Sequence, residues 1–347
     1  MTKRRGIAGL LAAAVLLAGC AGSKPAQADA NEKPVVLAYY TDESDAALER
    51  YHRYFTGLAT DTLSTDGDGN LVGEVPEEAL DRAADFKLQT WALVSNYGES
   101  EWDPDIAHRV LTDPGAKSRL IGHIRDTVLE NGYAGINLDF EAVRPEDRGA
   151  LSLFVRDTAR ELRKHGKSTM ISVPAKASDD PEDDWTGAFD YAAIGKYADL
   201  VQLMTYDEYG KWSEPGTSAG LDWIESTLKY SASKIKPSKL LMGMPAYAND
   251  WNLSNPSDES GFMITWTQAN KLASAHKNAA KRDSATASMV LRYTAKNGDK
   301  HVVWYEDAYS VKVKTRLVGK YKLAGTSVYA LGMEDGSFWT ALNAGLK

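Results

Sequence analysis

Cysteine is almost missing from this chain: the 347 residues hold one, Cys20, so no disulfide can close within it. Histidine is scarce as well, and none of the six falls at the spacing of a paired metal ligand. No internal repeat recurs at a solenoid period, which removes stacked-repeat architectures. The apolar run at residues 7–18 is too short to cross a bilayer as a permanent helix.

That run follows Lys3, Arg4 and Arg5 and closes on Leu17-Ala18-Gly19-Cys20, the order of a secretory signal. The last four residues resemble a bacterial lipobox, which implies cleavage after residue 19 and a lipid on Cys20. Plain secretion with an incidental cysteine is the other reading. The expected layout is a signal peptide at 1–19, lipidated Cys20 with a small, polar tether to residue 33, and folded sequence over 34–347. This places the protein outside the cytoplasm, on a bacterial membrane. Residues 1–19 carry three basic and no acidic groups, so the mature chain has 37 basic against 48 acidic residues, a net charge of −11. Such a surface repels polyanions, and nucleic acid is excluded as an expected partner.

From residue 34 onward, short β-branched runs alternate with amphipathic helices. Strands are expected at 34–40, 55–63, 88–95, 133–141, 169–174, 200–206, 240–245 and 326–331. Helices are expected at 45–54, 76–84, 113–131, 145–165, 221–233 and 337–346. This alternation predicts a (β/α)8 TIM barrel, and the length exceeds the roughly 250 residues such a barrel needs. The rhythm breaks over 252–322, which reads as a small α+β insertion between the seventh and eighth strands. DGDGN at 66–70 places acids at calcium-loop positions but has Leu71 where that loop needs glycine, so it reads as a tight turn.

The stretch 133–141, YAGINLDFE, sends Asn137, Asp139 and Glu141 to one face and Ile136, Leu138 and Phe140 to the other. An acidic face on a strand that is apolar on its reverse is costly unless it serves a site. Asp139 and Glu141 have Cα atoms roughly 6–7 Å apart, too close for both to ionise cheaply, so one is pushed towards a raised pKa. A salt-bridged pair in the barrel fits that spacing equally well. Other strand ends add acids and rings: QLMTYD with Met204, Tyr206 and Asp207, MPAYANDW with Tyr247, WYED with Trp304, and Tyr329 near the end. Tyr40 and Asn96 close the first and third strands. Acids among aromatic faces suit a sugar, whose apolar faces stack on rings while its hydroxyls need fixed partners.

GINLDFE resembles the D-G-x-[DN]-x-D-x-E signature of glycoside hydrolase family 18, and LMTYD is similar to that family's M-x-Y-D. MPAYANDW and WYED look like stretches of the spore- and cell-wall-associated, cortex-lytic members. The resemblance spans residue 34 to the C-terminus, with the motifs in family order. It implies a retaining hydrolysis in which the substrate's own acetamido group is the nucleophile. Glu141 would protonate the glycosidic oxygen and then activate water. Asp139 would hold the acetamido N–H, and Tyr206 would bond its carbonyl. Asn137, Met204, Asp207, Tyr247, Tyr329, Trp304, Tyr40 and Asn96 are the substrate-binding candidates. No metal or organic cofactor is implied. The implied partner is an N-acetylglucosamine polysaccharide, peptidoglycan first and chitin second, met by a monomer on its lipid anchor.

The chain departs from the family pattern at three places. Ala134 stands where the signature begins with aspartate, removing an acid expected to help set the charge of the interior acids. Asn137 stands where many chitinases have the middle aspartate. Tyr329 takes the place of the tryptophan under the reactive sugar. These departures leave a non-catalytic carbohydrate-binding barrel as a reading from a different class.

Overall fold

The computed structural model describes residues 34–255, 261–276 and 279–347. The expected leader, Cys20 and the tether lie outside the described residues.

Eight parallel strands form a closed barrel: Val35–Tyr40, Gly57–Thr65, Gln89–Ser95, Gly135–Asp139, Ser168–Pro174, Leu200–Met204, Leu240–Pro245 and Gly325–Tyr329. Each pairs with the next, and the first pairs with both the second and the last, which closes the sheet. The (β/α)8 barrel read from the sequence is the architecture observed. Side-chain alternation sorts its residues. Leu37, Tyr39, Ala59, Trp91, Leu93, Met170 and Leu241 fill the interior, while Val36, Ala38, Ile136, Leu138, Ile171 and Val173 pack outward beneath the helices. In the fourth strand Gly135 is required by closeness: a Cβ there would stand 2.1 Å from the Ser168 carbonyl oxygen of the fifth strand.

Two helices escape the sequence reading. Pro104–Thr112 precedes Pro114–Glu130, and each is capped by an aspartate, Asp103 or Asp113, with proline in its first turn. Tyr191–Tyr197 is seven residues long and capped by Asp190. The two missed helices, Pro104–Thr112 and Tyr191–Tyr197, are marked by local caps at Asp103 and Asp190 without a long apolar period to advertise them. At DGDGN the tight turn is confirmed: Asp66 Oδ1 accepts the backbone N–H of Asp68 and Asn70, and the turn joins the second strand to the short antiparallel strand Leu71–Gly73.

The insertion lies between the seventh and eighth strands, with different limits from those expected. Its five-stranded antiparallel sheet comprises Tyr247–Asn252, Gly261–Thr265, Ala280–Arg282, Met289–Thr294 and Lys300–Tyr305, and helix Trp266–Ala275 covers one face. The sheet therefore starts at residue 247 rather than 252, because the chain runs from Pro245 through Ala246 straight into a new strand. The helix Ala308–Tyr321, expected within the insertion, packs on the C-terminal helix Gly336–Gly345 and on the barrel. It is the seventh barrel helix, and the insertion ends at Tyr305.

Candidate active site

Asp139 is the last residue of the fourth strand, and Glu141 follows two residues later at the carboxyl end of the barrel, where barrels of this kind carry their chemistry. Beneath them lies a polar floor. The Tyr39 hydroxyl donates to Asn137 Oδ1 at 2.9 Å, and Asn137 Nδ2 donates to Ser172 Oγ at 2.9 Å. Beside this, Gln202 Nε2 donates to Ser327 Oγ at 3.1 Å. Asn137 is fully buried with both ends of its amide taken by Tyr39 and Ser172, so it belongs to the floor and does not face a sugar, contrary to expectation.

Asp139 is buried, and its Oδ1 has no hydrogen-bond partner among the described residues. A buried acceptor left open in a cleft calls for a donor from outside. Burial pushes the Asp139 carboxyl well above the usual carboxylate range, and the charge of Asp61 adds to the rise. Burial does the same to Glu141, reinforced by Asp139, Asp207 and Asp61. Burial and like charge thus favour a proton held between the two carboxyls, as a proton donor requires.

Asp61 is a site residue that the sequence reading missed. The register between the second and third strands shifts between Thr60 and Leu63, and this bulge turns Asp61 towards the barrel mouth. There it accepts the Tyr329 hydroxyl at 3.3 Å. Burial lifts its carboxyl to about 6, the Tyr329 bond opposing and Asp42 assisting.

Aromatic rings wall the acids. Tyr329 lies 5.7 Å from Tyr39 and 6.1 Å from Tyr206 between ring centroids, and Tyr206 meets Tyr247 edge-on at 6.4 Å. Met204 packs with Tyr206 and Tyr247. The Tyr247 hydroxyl donates to Asp207 Oδ1 at 2.5 Å, and Asp207 takes a left-handed backbone, with φ of 63°, at the end of the sixth strand. Burial keeps the Tyr206 hydroxyl protonated far above its ordinary range, leaving it a neutral donor. Six sequence candidates thus meet in one cluster: Asp139, Glu141, Tyr206, Met204, Asp207 and Tyr247, with Tyr329 as a seventh.

Three other candidates do not join this cluster. Tyr40 packs outward in the helix layer, and its hydroxyl donates to Asp45 at 2.8 Å; its neighbour Tyr39 is the inward residue, one step away in the alternation. Asn96 is fully buried, and its amide bonds the backbone of Glu141. Trp304 stands opposite Asn249 in the insertion sheet, two residues along that strand from Tyr247 and outside the acid cluster. The rest of WYED is architectural. Glu306 forms a buried 2.7 Å ion pair with Lys314, and Asp307 caps the helix Ala308–Tyr321.

Ala134 is also relocated by the structure. Its backbone N–H bonds Thr90 at the start of the third strand, so it lies at the amino-terminal rim, roughly 23 Å of strand from Glu141. An acid there would sit at the far end from the reacting pair, so its absence leaves the interior charge balance to the four acids at the mouth.

The family model described as "Glycosyl hydrolases family 18" matches residues 60–334. A Bacillus subtilis (strain 168) protein named as an uncharacterized glycosylase, YvbX, is 42% identical over 323 residues, which cover 92% of this chain and 93% of that protein. Among solved structures, a chitinase from Chromobacterium violaceum ATCC 12472 has a TM-score of 0.85 at 36% identity, over 90% of this chain and 99% of that one. The spore cortex-lytic enzyme SleL of Bacillus megaterium QM B1551 has a TM-score of 0.84 at 25% identity, over 91% of this chain and 75% of that one. A family match spanning most of the barrel, joined to these likenesses over nearly the whole folded chain, establishes that the protein belongs to glycosyl hydrolases family 18 and is a glycoside hydrolase.

Proposed function

We propose that the protein is a retaining, substrate-assisted β-N-acetylglucosaminidase that acts on peptidoglycan. The observation that carries the mechanism is the Asp139 Oδ1, without a hydrogen-bond partner among the described residues and close to Glu141, whose carboxyl is raised by burial and by the neighbouring acids. An acetamido N–H fits that acceptor, and holding it turns the acetamido carbonyl oxygen towards the anomeric carbon. Glu141 gives its proton to the glycosidic oxygen as the C1–O bond breaks and the carbonyl oxygen bonds C1. Asp139, a carboxylate because the pair's one proton sits on Glu141, stabilises the cationic oxazolinium, while Tyr206 donates to the oxygen that has closed the ring. Water then loses a proton to Glu141, attacks C1 from the vacated side and reopens the ring. Two inversions leave the β configuration.

The motif resemblance to cortex-lytic members and the likeness to SleL support peptidoglycan as the substrate. The likeness to a chitinase at 36% identity favours chitin oligomers as the second reading. Mass spectrometry of products from intact peptidoglycan and from chitin oligomers decides between them. Muropeptides with reducing N-acetylglucosamine ends are expected, and Glu141→Gln should lose at least about 100-fold in rate while still binding the glycan. Cleavage of chitin oligomers alone would move the assignment to the second reading. Binding without turnover in the wild type would leave a carbohydrate-binding barrel.

A further inference from the structure

The third and fourth strands stay paired only as far as Ser95 and Asp139. Had the ladder continued, Glu141 would have faced a backbone partner on the third strand, but that strand turns away into a small loop over 96–103. Glu141 is also followed at once by Ala142 in the left-handed region, at φ of 51°, so no strand holds it from the C-terminal side. Its carboxyl has no hydrogen bond among the described residues, and its surroundings act on it through burial and like charge. The backbone therefore decides where the proton donor points.

One side chain fixes that backbone. Asn96 Oδ1 accepts the Glu141 N–H at 2.8 Å, and Asn96 Nδ2 donates to the Glu141 carbonyl at 2.8 Å. The other Nδ2 hydrogen goes to the Asp103 carbonyl at 3.0 Å, and the Asn96 carbonyl accepts the Asp103 N–H at 3.2 Å. The amide thus stands in for the missing strand partner, with both its donors and its Oδ1 engaged in doing so. It also welds Glu141 to the base of the 96–103 loop, whose Tyr97 and Trp102 pair edge-on at 5.4 Å. Only asparagine offers one acceptor and two donors at this reach. Aspartate would turn a carboxylate against two carbonyls, and alanine would leave three polar backbone groups open.

We infer that Asn96 is the positioning residue of the general acid: it holds Glu141 so that its proton reaches the leaving oxygen. This rests on the hydrolytic role proposed for Glu141. Misplacing a proton donor by an ångström costs on the order of 100-fold, but only where the leaving group needs the proton. An N-acetyl-chitobioside of dinitrophenol, whose phenolate departs unprotonated, is therefore the control against an unmodified chito-oligosaccharide.

In Asn96→Ala, kcat on the oligosaccharide should fall by about 100-fold with KM changed less than about twofold. On the dinitrophenyl glycoside kcat/KM, which reports the steps up to departure of the phenolate and not the later water attack that Glu141 also assists, should fall by less than about fivefold. Both rates come from one preparation, so their ratio is independent of the fraction folded. Should Asn96→Ala be insoluble, the same ratio is read in Asn96→Asp, which keeps the shape and loses both donated bonds. Equal losses on the two substrates, or no loss on either, would overturn the inference. A wild type inactive on both would instead overturn the hydrolytic reading beneath it.

Discussion

The Asp61 carboxyl has Asp42 on one side and the charges of Asp139 and Glu141 on the other, with the Tyr329 hydroxyl as its bond. Its folded pKa of about 6 lies above the ordinary value of 3.8, so between those pH values the native state binds more protons than the unfolded chain. Stability is then lost as pH rises through that window. Asp61→Asn should be more stable than the wild type at pH 8, by at most about 3 kcal/mol, and indistinguishable from it at pH 3. Urea midpoints at the two pH values check this, and an equal difference at both would contradict it. The same substitution removes a negative charge that raises Glu141, so the donor ionises earlier and the alkaline limb of the rate profile should move to lower pH. Little of this was legible beforehand. Asp61 reaches the mouth through a strand bulge with no sequence marker, whereas Tyr39 was within reach of simple alternation: Leu37 and Tyr39 share a face, and Tyr40 belongs to the other.

Among elements, the fourth and sixth strands were the most readable, because acids and rings at fixed intervals survive any uncertainty about where a strand ends. The insertion was the least, because two of its strands are short, and the strand Tyr247–Asn252 begins directly after a barrel strand. WYED shows how a motif can point to the wrong layer. Its glutamate pairs with Lys314, and Ser288 bonds that pair while also meeting Thr217 in the loop after the sixth strand at 2.6 Å. The insertion is thereby pinned to the loop that follows Asp207. Lys314 is fully buried, so Lys314→Ala leaves the Glu306 charge unpaired in the interior and should cost about 3–5 kcal/mol. Replacing both partners by apolar residues of similar size should cost less. Denaturant midpoints test the pair, and a loss in Lys314→Ala below that of the double variant would contradict the argument.

At the scale of the whole molecule, the parallel barrel and its acidic carboxyl end were legible because alternation and apolar period repeat along the chain. The lipid anchor at Cys20 remains our proposal: Cys20→Ser should shift the protein from the membrane fraction to the soluble one, and an unchanged distribution would oppose it. The central claim is that Glu141 and Asp139 cut a glycosidic bond with the substrate's acetamido group as nucleophile. It is tested most directly by proton NMR of the first product released from a chito-oligosaccharide, read before mutarotation. The account predicts that the new reducing end appears as the β anomer, and an initial α anomer would contradict it.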